Sequence, residues 1–262
     1  MALFLRVYGT LPRAGPGADA HTRRALALVP GEAPARVLDL GCGPGAQTLA
    51  LAAALPGAEI LALDLSAPLV ARARERIEQV GLAGRVRVEV GDMASPPVEP
   101  ASQDLICSEG AIYNLGVRVG LEAWRRLLAP GGVVIFTEAI WRVPDPPPEL
   151  RRWWEAEYPA ITDEAGVRAE IEAAGYASLA SFPLPPSAWW DEYYAPMRQR
   201  IEELVRDLPE DPVAGEIAAT AREEIALFER FSDAYTYGYF VAAPLGEPEA
   251  VRESGSRSRL GG

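Results

Sequence analysis

The 262-residue sequence contains no lysine; all 25 of its basic residues are arginine. That absence excludes Schiff-base chemistry, the P-loop NTPase lysine and any lysine general base. Histidine occurs once, as His21, so a metal site has at most one imidazole to draw on, and so does a Ser-His-Asp triad. Cys42 and Cys107 are the only cysteines, too few for a disulfide framework or a cysteine-based zinc site. No metal is expected. No apolar run approaches the ~20 residues that span a bilayer. The N-terminal MALFLRVYGTLPRAGPG is apolar only briefly and lacks a long h-region. Positive charge is scarce as well: 25 basic against 37 acidic residues give a net charge of −12. That balance argues against nucleic acid and anionic membranes as partners. A cytoplasmic protein acting on a small molecule is the expectation; the oligomeric state is not legible.

Apolar residues make up 49% of the chain, enough for a substantial core. The first half alternates strand-like and helix-like stretches. Strands are predicted at 36–40 (RVLDL), 59–63 (EILAL), 85–90 (RVRVEV), 104–107 (DLIC) and 133–137 (VVIFT). Helices are predicted at 46–55, at 67–80 with Ser66 as N-cap, and at 117–128, stopped by Pro130-Gly131-Gly132. Such alternation implies βαβ crossovers and a parallel sheet with helices on both faces. The second half opens with a stiff break, 144–148 (PDPPP). An aromatic stretch at 149–158 follows, then a helix at 162–174, amphipathic segments at 187–208 and 213–231, and strands at 176–184 and 234–242. From residue 247 the chain is polar and rich in Gly and Ser, and disorder is expected there.

The sharpest local signal is 37–48 (VLDLGCGPGAQT). Gly41 and Gly43 allow a tight turn and close approach of a ligand to the backbone. Asp39 precedes the loop, where it can hold the loop amides or face a cationic ligand. Gly41, Gly43 and Ala46 also fit the dinucleotide pattern G-x-G-x-x-G/A, and Asp64 lies at the spacing where a carboxylate meets ribose hydroxyls. A nicotinamide-dependent oxidoreductase is therefore an alternative at this stage. After the third strand come Gly91, Asp92 and Met93. Asp92 can accept from an adenine amino group, and Met93 can pack on its face.

In their order these motifs resemble class I S-adenosylmethionine-dependent methyltransferases. The family's D-x-G-x-G-x-G, acid after strand 2, acid after strand 3 and Pro-Gly-Gly before strand 5 match 39–45 (DLGCGPG), Asp64, Asp92 and 130–132, within roughly 36–138. The resemblance implies an α/β, Rossmann-like seven-stranded sheet, mostly parallel with the last strand antiparallel. It implies S-adenosyl-L-methionine as cofactor, held by Asp39, Gly41, Cys42, Gly43, Gln47, Asp64, Leu65, Asp92 and Met93. A non-catalytic protein that binds the same cofactor is the other alternative. At the end of strand 4, 108–116 (SEGAIYNLG) resembles a subgroup of small-molecule methyltransferase-like bacterial proteins, as do 11–19 (LPRAGPGAD) and 190–196 (WDEYYAP). Glu109 and Tyr113 become the catalytic candidates, placed to position or deprotonate a nucleophile, with Glu109 also near the cofactor and His21 a more distant base. Arg13 is expected to face the cofactor carboxylate. Eight aromatics (Trp141, Trp153, Trp154, Tyr158, Trp189, Trp190, Tyr193 and Tyr194) are expected to cap the sheet and to line an acceptor chamber suited to a cationic amine or a flat ring. The organisation expected is one domain over 1–246, with cap segments near 141–160 and 186–232 and a tail at 247–262.

Overall fold

A computed structural model describes residues 2–246; the expected disordered tail at 247–262 lies outside them. The chain begins with α1 (Ala2–Tyr8) and α2 (Asp19–Leu26), then alternates β1 (Arg36–Leu40), α3 (Ala46–Ala54), β2 (Glu59–Asp64), α4 (Ala67–Gln79) and β3 (Val86–Val90). Next come β4 (Gln103–Ser108), α5 (Val117–Arg125) and β5 (Leu128–Trp141). The remainder is α6 (Pro148–Glu157), β6 (Thr162–Asp163), α7 (Glu164–Ala173), β7 (Tyr176–Pro183), α8 (Pro186–Trp189), α9 (Ala195–Asp207), α10 (Pro212–Phe231) and β8 (Tyr235–Pro244).

The sheet runs β3-β2-β1-β4-β5-β8-β7, parallel through β5, with β8 antiparallel to both neighbours. This is the expected seven-stranded sheet, mostly parallel with its last strand antiparallel. An eighth strand, the two-residue β6, pairs with the far end of β5 at Ile140–Thr162. Pro130-Gly131-Gly132 does not stand between helix and strand as expected: α5 ends at Arg125 and the three residues lie inside β5. Ser66 occupies the predicted N-cap position but makes no side-chain cap bond.

Period-2 burial explains the layers. Inward residues of one sheet face, such as Val37, Ile60, Val88, Leu105 and Ile135, pack on α2, α3 and α4 through Ala25, Leu51 and Val70. Residues of the other face, such as Leu38, Leu63, Ile106, Phe136 and Phe240, pack on α5 and α7 through Trp124 and Ile171. A third apolar cluster joins α6, α8, α9 and α10 through Leu150, Trp189, Met197, Leu204, Ala218 and Phe228. The N-terminal helix joins this cap through Val7, and Leu11 follows it in. That contribution was not foreseen from the sequence.

Candidate active site

The glycine loop leaves β1 at the carboxyl edge of the sheet. Gly41 and Cys42 both donate their amides to the Leu63 carbonyl, at 2.8 and 2.9 Å, which ties the loop to β2. Gly41 has φ +76°, and a Cβ there would collide with the Cβ of Ala111. The Gly43 amide donates to Asp64 Oδ2 at 2.9 Å, and the Ser66 amide to Asp64 Oδ1 at 2.8 Å. A carboxylate has about four lone-pair sites, so two remain on Asp64 for a ligand.

These elements enclose a cavity of about 350 Å³. Of the cofactor residues expected from the sequence, Arg13, Gly41, Gly43, Gln47, Asp64, Leu65, Met93 and Glu109 line it. Three do not. Asp39 is fully buried beneath α3, where Thr48 Oγ1 donates to it at 2.5 Å and Gln47 Nε2 at 3.4 Å. It holds side chains of the helix's first turn, not loop amides or a ligand. Burial pushes its carboxyl up to about 7 against the pull of those donors. Cys42 is buried, and desolvation drives its thiol far up, so it is inert. Asp92 is exposed and accepts from the Ala94 amide at 2.8 Å, closing its own turn.

Arg13 reaches the cavity from the N-terminal segment. Its side chain is 5% exposed and pairs with Asp19 at 2.6 Å, Glu109 at 3.5 Å and Glu192 at 3.6 Å. The Glu109 side chain is 7% exposed and also accepts from Thr22 Oγ1 at 3.2 Å. Burial raises its carboxyl, while Arg13 and Thr22 oppose the rise. His21 lines neither this cavity nor the one adjoining it; burial lowers its imidazole, with Arg13 and Arg24 adding to the effect.

A second cavity of about 110 Å³ adjoins the first. The two share Ala14, Gly15, Pro16, Gly110 and Tyr113. Of the eight expected aromatics, Trp153, Trp154, Trp189, Tyr193 and Tyr194 line this chamber, joined by Tyr113 and Tyr237. Trp141, Tyr158 and Trp190 stand outside it: Trp141 packs edge-on against Trp154, and Tyr158 against Tyr113. The sequence reading passed over two carboxylates. Glu224 lines the chamber, and Glu138 lies behind it on β5, 4% exposed, with Oε1 accepting from the Ala139 amide. Burial pushes each carboxyl up to about 7.

The cavity fits an adenosyl cofactor. A Cβ-free turn gives backbone access, Asp64 keeps capacity for a diol, and Leu65, Leu69 and Met93 supply apolar surface for a flat ring. Comparison with known proteins agrees. Residues 37–132 match the family model described as "Methyltransferase domain". A trans-aconitate 2-methyltransferase of Paracidovorax citrulli is 32% identical over 228 residues, covering 78% of this chain and 84% of that protein. Its counterpart in Acidovorax sp. strain JS42 is 30% identical over 234 residues, covering 82% and 86%. Among solved structures, an S-adenosylmethionine-dependent methyltransferase from Geobacter sulfurreducens, in complex with S-adenosyl-L-homocysteine, superposes with a TM-score of 0.79 at 25% identity, covering 93% of this chain and 98% of that one.

Proposed function

This chain belongs to the class I S-adenosylmethionine-dependent methyltransferase family, and from that premise we propose that its methyl acceptor is a small, non-anionic molecule bound in the aromatic chamber. S-adenosylmethionine, when bound, supplies a methyl group made electrophilic by its sulfonium. Our reading seats it in the larger cavity, with Asp64 toward the ribose diol, Met93 and Leu65 against the base, and Arg13 toward the carboxylate. One observation carries the acceptor site: the two cavities share the wall formed by Ala14–Pro16, Gly110 and Tyr113. Tyr113 faces both spaces and is the residue we set beside the transferring methyl. Glu109 is engaged with Arg13 and Thr22, which supports a positioning role for it over that of a free base. Holding donor and acceptor aligned can supply ~7–11 kcal/mol of barrier reduction, and a dry aromatic enclosure excludes competing water.

The two relatives above are named for trans-aconitate, a tricarboxylate. Among the described residues no arginine lines this chamber, and its ionisable wall is Glu224 with four tyrosines. Arg13 lines the neighbouring cavity, not this chamber. A polyanion in this chamber would lose hydration without gaining a counter-charge. With labelled S-adenosylmethionine, no transfer to trans-aconitate above background is expected, and transfer to at least one member of a panel of small amines and neutral acceptors is. Efficient labelling of trans-aconitate overturns the acceptor reading. Calorimetry with S-adenosylhomocysteine tests cofactor binding separately.

A further inference from the structure

The chamber holds a carboxylate with no cation opposite it. Glu224, on α10, forms no ion pair among the described residues; its Oε1 accepts from the Tyr194 hydroxyl at 2.9 Å. The ionisable groups around it are Tyr8 of α1, Tyr193 and Tyr194 before α9, Tyr235 and Tyr237 of β8, and Glu157 of α6. None can offset a negative charge. A buried carboxylate in such surroundings is costly unless a cation joins it. A second observation points the same way to a ligand: the indole N–H of Trp154, in the chamber wall and 8% exposed, has no hydrogen-bond acceptor among the described residues. The rest of the wall is aromatic face, the surface that attracts an organic cation.

We propose that Glu224 and the surrounding rings of Trp153, Trp154, Trp189 and Tyr193 form an ammonium-binding site, and that the acceptor is a small primary or secondary amine, an inference that rests on the methyltransferase reading above. About 110 Å³ of space corresponds to roughly four water volumes, so the amine has only a handful of heavy atoms. An oxygen next to the amine gives the Trp154 N–H its acceptor. The amine arrives as an ammonium ion and surrenders one proton to the Glu224 carboxylate, which frees the nitrogen lone pair. The C–N bond forms as the methyl–sulfur bond breaks, and that electron pair stays on sulfur. The product leaves as the methylated ammonium, and the Glu224 proton goes to water.

Ethanolamine is the probe, with ethylene glycol as its neutral and glycolate as its anionic near-isostere. Each is titrated into protein saturated with S-adenosylhomocysteine, with tryptophan emission as the readout because three indoles line the chamber. Ethanolamine is expected to shift the emission saturably, in the millimolar tier that suits so few atoms, and the other two are not. Glu224→Gln is expected to weaken ethanolamine by about tenfold or more, a loss typical of a removed charge partner, with S-adenosylhomocysteine affinity unchanged. Tyr194→Phe, which leaves the carboxylate in place, is expected to keep the binding. The wild-type protein provides a test that needs no variant: affinity should fall as the pH is lowered through about 7, where the Glu224 carboxyl takes up a proton. Glu138 is raised into the same range but stands outside the chamber wall, so Glu138→Gln should retain that pH dependence. The proposal is overturned by glycolate or ethylene glycol matching ethanolamine, by unchanged binding in Glu224→Gln, or by no response to ethanolamine in protein that binds S-adenosylhomocysteine normally. Failure to bind S-adenosylhomocysteine at all would count instead against the cofactor reading.

Discussion

Replacing Gly41 with alanine is expected to abolish measurable S-adenosylhomocysteine binding and to lower Tm by about 5–15 °C, whereas the same change at Gly43 should cost less, about 2–8 °C. Two costs add at Gly41. Its φ of +76° lies in the left-handed region, which costs a residue with a Cβ roughly 1–2 kcal/mol. Its new Cβ would also collide with the Cβ of Ala111, which is 6% exposed, and overpacking of that kind costs about 1–3 kcal/mol. Neither methyl can rotate away, so the backbone has to move. The Gly41 and Cys42 amides are tied to Leu63, and Ala111 continues the turn that carries Glu109 and Gly110. A shift therefore displaces two walls of the cavity at once. Gly43, at φ +52°, bears the same backbone cost, but a Cβ there meets only the Ala14 Cβ, at 3.3 Å, on an N-terminal segment that can yield by a few tenths of an ångström, so the collision cost is absent. For a chain of this size about 1 kcal/mol moves Tm by roughly 2–4 °C, so calorimetric unfolding with a ligand titration separates the two variants. Gly41→Ala protein that keeps wild-type affinity would show that the loop does not set the cavity.

The contrast between these glycines shows what was readable in the sequence. The loop, Asp64 and the strand ends were legible because each is a local pattern: glycines that demand positive φ, an acid closing a short apolar run, and strict alternation in RVRVEV. The parallel strands followed from crossover logic, and the antiparallel last strand from the family resemblance. The misreadings have a common cause, which is that a tertiary partner decides the outcome. Asp39 sits where a cofactor acid is expected, yet it is fully buried and Thr48 and Gln47 claim it. β6 has two residues, too few to show any period. Pro130-Gly131-Gly132 carries every mark of a stop, but the strand runs through it, with Leu128 already paired to Gln103. The deepest gap concerns Glu138 and Glu224. Glu138 is hidden within a buried strand, and Glu224 is one of several glutamates on an amphipathic helix, with Glu216, Glu223 and Glu229 beside it. Only the packing of α10 against α8 and the turn before α9 decides which of the four lines the chamber.

Those buried carboxyls give the second large effect: Tm of the ligand-free protein is expected to fall as pH rises from about 5 to about 8, the reverse of ordinary acid denaturation. Asp39, Glu138 and Glu224 are each raised to about 7, chiefly by burial. Unfolded, such groups titrate near 3.9 for Asp and 4.3 for Glu. Between those values and 7 the folded chain holds protons that the unfolded chain has released. Stability is then full below the unfolded pKa and is lost as pH climbs through the folded one, by about 1.4 kcal/mol per pH unit for each carboxyl. Glu109, also raised, acts in the same direction. His21, lowered by burial, opposes with a single proton. The carboxyls that arginine or serine partners lower, Glu149, Glu164 and Glu203, lose their contribution only as pH falls below about 4.3, outside the window. Scanning calorimetry from pH 5 to 8 should therefore show Tm declining, and Asp39→Asn should flatten the decline because its amide stays neutral throughout. A Tm that rises steadily across this range would mean that these groups are ionised and paired in the fold. Saturating ethanolamine supplies the counter-charge that Glu224 lacks, so the decline should flatten in its presence and remain in the presence of ethylene glycol. The stability profile and the acceptor chemistry thus read the same carboxylate by independent means.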